Sequence, residues 1–105
     1  MQYTFKQLRY LVAVAQYGNV SVAARHLFIS QPALSTAIAQ LESSLGVPLL
    51  IRHHARGVSV TPAGRKFLTR VRGLLSHANE LELLGKELGN SVRGELIVGC
   101  FVTLA

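Results

Sequence analysis

The sequence predicts a mostly α-helical fold: three compact helices, a short β-hairpin and a long helix after it. Three observations carry this. Residues 30–46, SQPALSTAIAQLESSLG, have a marked helix start, a marked stop and one apolar stripe. After Gly46 the apolar period shortens to strand-like alternation around a polar, basic loop. From Phe67 to Leu88 apolar residues recur at spacings of four and three without a break, the pattern of a long helical seam.

The first helix opens at Thr4, with Gln7 three residues on, a capping box in which each side chain satisfies the other residue's backbone N–H. Phe5, Leu8, Leu11, Val12 and Ala15 give it a buried side, Lys6 and Arg9 face solvent, and Gly18 ends it. A second, short helix follows, with Ser21 as its expected cap and Ala23, Ala24 and Leu27 inside. Two adjacent alanines let another helix axis approach closely. Phe28 and Ile29 stand at its exit.

The third helix begins at Ser30, whose hydroxyl can accept from a free N–H of the first turn. Pro32 lies in that turn, where its missing N–H costs nothing. Gly46 is the left-handed stop and Pro48 follows. Leu34, Ile38, Leu41 and Leu45 make the buried stripe. The other side carries Gln31, Ser35, Thr36, Ala39 and Gln40. A face that meets only water usually carries Lys and Glu. Amides, hydroxyls and a methyl suit the major groove of DNA, where they meet base edges and thymine methyls. A short helix, a tight turn and a longer helix with such a face make a helix-turn-helix, here about 21–40.

Leu49, Leu50 and Ile51, a turn-like Arg52–Gly57 stretch, and Val58-Ser59-Val60 then read as two strands around a loop, a wing at about 49–60. Arg52 and Arg56 are expected at phosphates or in the minor groove, with His54 beside them. His53 and His54 make a poor metal site, having no third ligand nearby.

Thr61 caps the fourth helix and Pro62 opens it. Phe67, Val71, Leu74, Ala78, Leu81 and Leu88 line its seam, and Leu68, Leu75 and Leu84 form a second stripe. One stripe can pack on its own domain; the other asks for a partner, most simply a second copy. Gly89-Asn90 is the expected stop. Residues 95–102, ELIVGCFV, read as a buried strand whose sheet lies beyond residue 105. Cys100 belongs to that strand as a small core residue, and with no second cysteine it cannot form an internal disulfide.

The charge is unevenly placed. The net charge is +6, yet residues 1–79 hold nine Lys/Arg and a single acid, Glu42, whereas residues 80–105 hold two Lys/Arg and four Glu. A polyanionic partner for the first three quarters follows. No apolar run is long enough to span a bilayer, and Met1 leads straight into a capped helix with no signal peptide, so a cytoplasmic location is expected. There are no paired carboxylates, no nucleophile–base spacing and no glycine-rich phosphate loop, so no enzyme is expected.

Taken together, AARHLFISQPALSTAIAQLESSLGVPLL, the arginine wing, TPAGRKF and RGELIVG resemble the DNA-binding part of a LysR-type transcriptional regulator. The resemblance covers nearly the whole chain in unbroken order. It implies a winged helix-turn-helix at 3–61, a linker helix at 62–89 that forms a homodimer with antiparallel helices, and a hinge and first strand of an effector-binding domain at 90–105. A small-molecule effector would bind that further domain, and the full-length protein has the option of a tetramer. By motif match Gln31, Pro32, Ser35 and Thr36 fall where the family's recognition helix meets double-stranded DNA, and Arg52 and Arg56 fall in its wing. This chain departs from the pattern in carrying Thr36, Ala39 and Gln40 where Arg or Lys is frequent, and Leu50 where Phe is frequent. Two other readings stay open at this point: a winged-helix protein of another DNA-binding family, and a dimerisation or protein-interaction module.

Overall fold

The computed structural model describes the backbone of residues 2–54 and 57–104, with side chains through residue 92. Three helices come first: α1 (Phe5–Tyr17), α2 (Val20–Leu27) and α3 (Gln31–Leu45). The strands β1 (Leu50–His53) and β2 (Gly57–Val60) follow, then α4 (Pro62–Leu104). Two compact units result, Met1–Leu75 and Ser76–Ala105.

Local chemistry sets the helix ends as expected at most positions. Thr4 and Gln7 form the capping box of α1, and Gly18 closes it at φ 64°. Ser30 caps α3 and Gly46 closes it at φ 70°. Thr61 Oγ1 accepts from Gly64 N at 2.9 Å and donates to the Pro48 carbonyl at 2.9 Å, so one hydroxyl starts α4 and ties it to the segment before the wing.

The core of the first unit joins Leu8, Leu11 and Val14 of α1, Val20, Ala23 and Ala24 of α2, and Leu34, Ile38 and Leu41 of α3. Leu49, Leu68 and Val71 complete it. Each large side chain among these is stabilising by about 1.5–3 kcal/mol on burial. That term locks the rotation of α3: turning it by one residue would bring Leu34, Ile38 or Leu41 into water.

The structure corrects several expectations. Phe5 is 40% exposed. As the first residue of α1 its Cα–Cβ bond tilts off the end of the packed stripe, and it lies at the margin of the buried face, which Leu8, Leu11 and Val14 define. The cap of α2 is Asn19, whose side chain accepts from Val22 N at 3.0 Å, not Ser21. Both residue types cap well, and tertiary burial decides between them. Starting at Asn19 puts Val20, Ala23, Ala24 and Leu27 on one helical face, and Val20 is buried. Arg52 and His53 lie in β1 rather than in the loop, paired with Val58 and Gly57.

The largest difference is in α4. It does not stop at Gly89-Asn90, and residues 95–102 are helical, not a strand. A strand there needs a neighbour for its N–H and C=O groups. Among the described residues the strands are β1 and β2, which pair with each other. A helix satisfies the same groups within the segment. Cys100 therefore sits in a helix, and its side chain lies outside the described residues. Val71, expected on the outward seam, is 3% exposed and belongs to the core with Leu68. The first three turns of α4 are used by their own domain.

Two glycines allow backbones to meet. Gly57 takes φ 85°, and a Cβ there would strike the Gly18 carbonyl; Val58 N donates to that same carbonyl at 2.9 Å. A Cβ on Gly64 would strike the Leu49 carbonyl oxygen. The wing is thus held between the end of α1 and the start of α4.

Candidate nucleic-acid interface

With its stripe locked inward, α3 presents a fixed outer face. Gln31, Pro32, Thr36, Ala39 and Gln40 are exposed, and Ser35 is half-buried. Ser30 stands at the tip in extended conformation, φ −72° and ψ 151°, with Oγ accepting from Ala33 N at 3.2 Å. Replacing Ser30 by Ala is expected to cost about 1 kcal/mol, read as a lower midpoint in chemical denaturation.

The two flanks of α3 differ. On one, Gln40 Oε1 accepts from Gln7 Nε2 at 3.2 Å, which draws its carboxamide toward α1. On the other, the Gln31 carboxamide accepts from the Ser21 hydroxyl at 2.7 Å. Beside that contact a polar cleft of about 280 Å³ opens between the starts of α2 and α3 and the wing, lined by Asn19, Ser21, Gln31, Arg52, His53 and Gly57. Arg52 is exposed on β1, and His53 Nε2 lies 2.7 Å from Ser59 Oγ across the hairpin. His54 is exposed just past β1. The fold thus brings Gln31 of the helix-turn-helix and Arg52 of the wing to one cleft. Arg56 lies outside the described residues.

The sequence reading missed one residue that shapes this surface. Glu42, the single acid among residues 1–79, does not face out with Gln31 and Thr36. Its Oε2 accepts from Leu49 N at 2.6 Å and from Leu50 N at 3.3 Å. The carboxylate pins the end of α3 to the start of the wing and is engaged where it would otherwise oppose an anion. The available signal was a lone acid amid nine cations, which asks for a partner. That partner is main chain, which a tally of side chains does not reveal. Hydrogen bonds to charged groups contribute about 1.5–3 kcal/mol, so Glu42→Ala is expected to lower stability by that order, measured by urea unfolding. Glu42→Gln should retain part of it.

No helix among the described residues is long and apolar enough to cross a membrane. Among them there is also no cluster of three His, Cys, Asp or Glu able to hold a metal ion. Chemically, the face offers amide and hydroxyl donors and acceptors, a methyl, and flanking guanidinium charge.

Comparison with known proteins bears on the family and the fold. Residues 5–65 match the family described as bacterial regulatory helix-turn-helix protein, lysR family. The chain is 46% identical over 101 residues to the HTH-type transcriptional regulator ClcR of Pseudomonas putida, which covers 95% of this chain and 34% of that protein. It is 55% identical over 71 residues to TfdS of Cupriavidus pinatubonensis, 68% of this chain and 24% of the relative. Among solved structures, the DNA-binding domain of BenM in complex with catB site 1 DNA matches with TM-score 0.79 at 36% identity, over 84% of this chain and 94% of that one. The CbnR DNA-binding domain in its DNA complex matches with TM-score 0.71 at 44% identity, over 73% of this chain and 87% of that one. The chain spans about a third of the length of ClcR. On the family match, the shared fold and identities of this size, the chain belongs to the LysR family of bacterial helix-turn-helix regulatory proteins.

Proposed function

We propose that this chain is the DNA-binding and dimerisation part of a cytoplasmic transcriptional regulator. In this reading Ser30, Gln31, Pro32, Ser35, Thr36, Ala39 and Gln40 approach the major groove of double-stranded DNA. Arg52, His54 and Arg56 approach the backbone or the minor groove from the wing. The observation that carries the reading is the outer face of α3: exposed, free of charge and set beside Arg52, with the neighbouring carboxylate of Glu42 engaged by backbone N–H groups. The DNA complexes of the similar BenM and CbnR domains support it. An effector-binding domain after residue 105, taking a small molecule, is part of the same proposal, since ClcR is about three times as long.

Pairing of two chains through α4 completes it. Leu74, Leu81, Leu84, Leu88 and Val92 are exposed, between 43% and 69%. Ala78 lies among them, and Phe67 is half-buried at the start of the seam. The charges favour an antiparallel pair. Arg65, Lys66, Arg70 and Arg72 precede the seam's midpoint, and Glu80, Glu82 and Glu87, against one cation, Lys86, follow it within the seam. Antiparallel packing sets each basic end against the partner's acidic end, whereas parallel packing sets like against like.

Base readout and affinity are separable. Arg52→Ala is expected to weaken binding to specific and random duplexes alike and to lower the slope of log K against log salt by about one unit. Gln31→Ala is expected to narrow the gap between specific and random DNA. Titrations of both variants at several salt concentrations test this; identical behaviour across sequences would refute the division of roles.

A further inference from the structure

The contact between Ser21 and Gln31 is needed neither to cap a helix nor to satisfy a buried group. Asn19 already caps α2, so the Ser21 hydroxyl is released from the task its position suggests. Both residues are exposed, so neither needs an internal partner to avoid an unsatisfied buried group. Yet Ser21 Oγ lies 2.7 Å from Gln31 Oε1, at the usual length of an O–H···O hydrogen bond. Ser21 is the second residue of α2 and Gln31 the first of α3. The two helix starts therefore meet at the polar cleft, and the hydroxyl of one holds the carboxamide of the other.

We propose that Ser21 is a positioning residue for sequence readout: it turns the Gln31 carboxamide so that Oε1 is engaged toward α2 and the Nε2 amino group is presented outward as a hydrogen-bond donor. This rests on the reading of Gln31 as a base-contacting residue. A free glutamine is ambivalent, because rotating its amide exchanges donor for acceptor. Once the oxygen is held, the outward group is –NH2. It suits major-groove acceptors, guanine N7 and O6, adenine N7 or thymine O4, and is mismatched to the amino group of cytosine. Specificity then comes from an unpaired donor against the wrong base. Ser21 itself touches no base in this account.

The test measures relative affinity for a set of duplexes that differ only at the base pair where Gln31→Ala loses preference. Solvent-exposed hydrogen bonds of this kind contribute modestly, so Ser21→Ala is expected to reduce discrimination at that one position by about 2- to 10-fold. Other positions and random DNA should change little. Ser21→Thr, which keeps the hydroxyl, should restore the preference. In the Gln31→Ala background, Ser21→Ala should have no further effect on discrimination. A purely structural or phosphate-contacting Ser21 would instead lower affinity for all duplexes equally and leave the preference intact, and that result would overturn the proposal. The two readings fail separately. If Gln31→Ala alters preference but Ser21→Ala does not, the positioning role is wrong and the base contact stands. If Gln31→Ala alters no preference, the base contact itself is wrong.

Discussion

Leu81→Glu is expected to give a folded monomer that binds its operator about 10²- to 10⁴-fold more weakly than the parent chain. Leu81 is 69% exposed in the single chain, so the substitution leaves the core of the first unit untouched and far-ultraviolet circular dichroism should be unchanged. In a two-fold pair the change appears twice. Two carboxylates would enter an apolar seam, and burying an unpaired charge costs far more than burying the leucine gains. Dimers engage two half-sites about one helical turn apart, and linking two weak binding events raises affinity by a factor of this order. Sedimentation at micromolar concentration, together with operator titration, checks both halves. A dimeric Leu81→Glu variant would move the interface elsewhere on the chain.

The second large effect is expected from Thr36→Glu, which should abolish duplex binding by at least about 100-fold without harming the fold. Thr36 is exposed on α3. Glu has the higher helix propensity, so thermal stability should hold or rise slightly. Against DNA the same carboxylate would meet a polyanion inside a groove, and like-charge juxtaposition at an interface costs several kcal/mol. Thr36→Arg is the opposite arm. It should strengthen binding to all duplexes and steepen the salt dependence by about one unit. Electrophoretic mobility shift of both variants, with a melting curve for each, separates binding from folding. Retained binding by Thr36→Glu would mean that this face of α3 does not meet DNA.

What was legible in the sequence was the chemistry that closes within a few residues. The Thr4–Gln7 box and the Ser30 cap pair a side chain with a backbone group three positions away, and the Gly18 and Gly46 stops pair a backbone N–H with the carbonyl four positions back. The inward stripe of α3 is legible for the same reason, since helical period alone defines it. The rest depends on partners distant in the chain. Asn19 and Ser21 are equally good caps in isolation, and only the burial of Val20 separates them. Glu42 finds its partners seven and eight residues away, beyond the end of its own helix. Periodicity marks Val71 as apolar but does not distinguish its own core from a neighbour's surface. Residues 95–102 are a short apolar run, for which strand and helix look alike without a sheet to consult; the chain takes the helix.

The central claim is that the outer face of α3 reads base edges in double-stranded DNA. Its most direct test is selection: the purified chain is incubated with random duplexes at two salt concentrations, and the retained fragments are sequenced. The account predicts enrichment of an imperfect inverted repeat with half-sites about one helical turn, or a multiple of it, apart. It also predicts that Gln31→Ala blurs that sequence, while Arg52→Ala only lowers the yield. Retention that falls with salt but enriches no sequence would reduce the chain to a non-specific polyanion binder and contradict the claim.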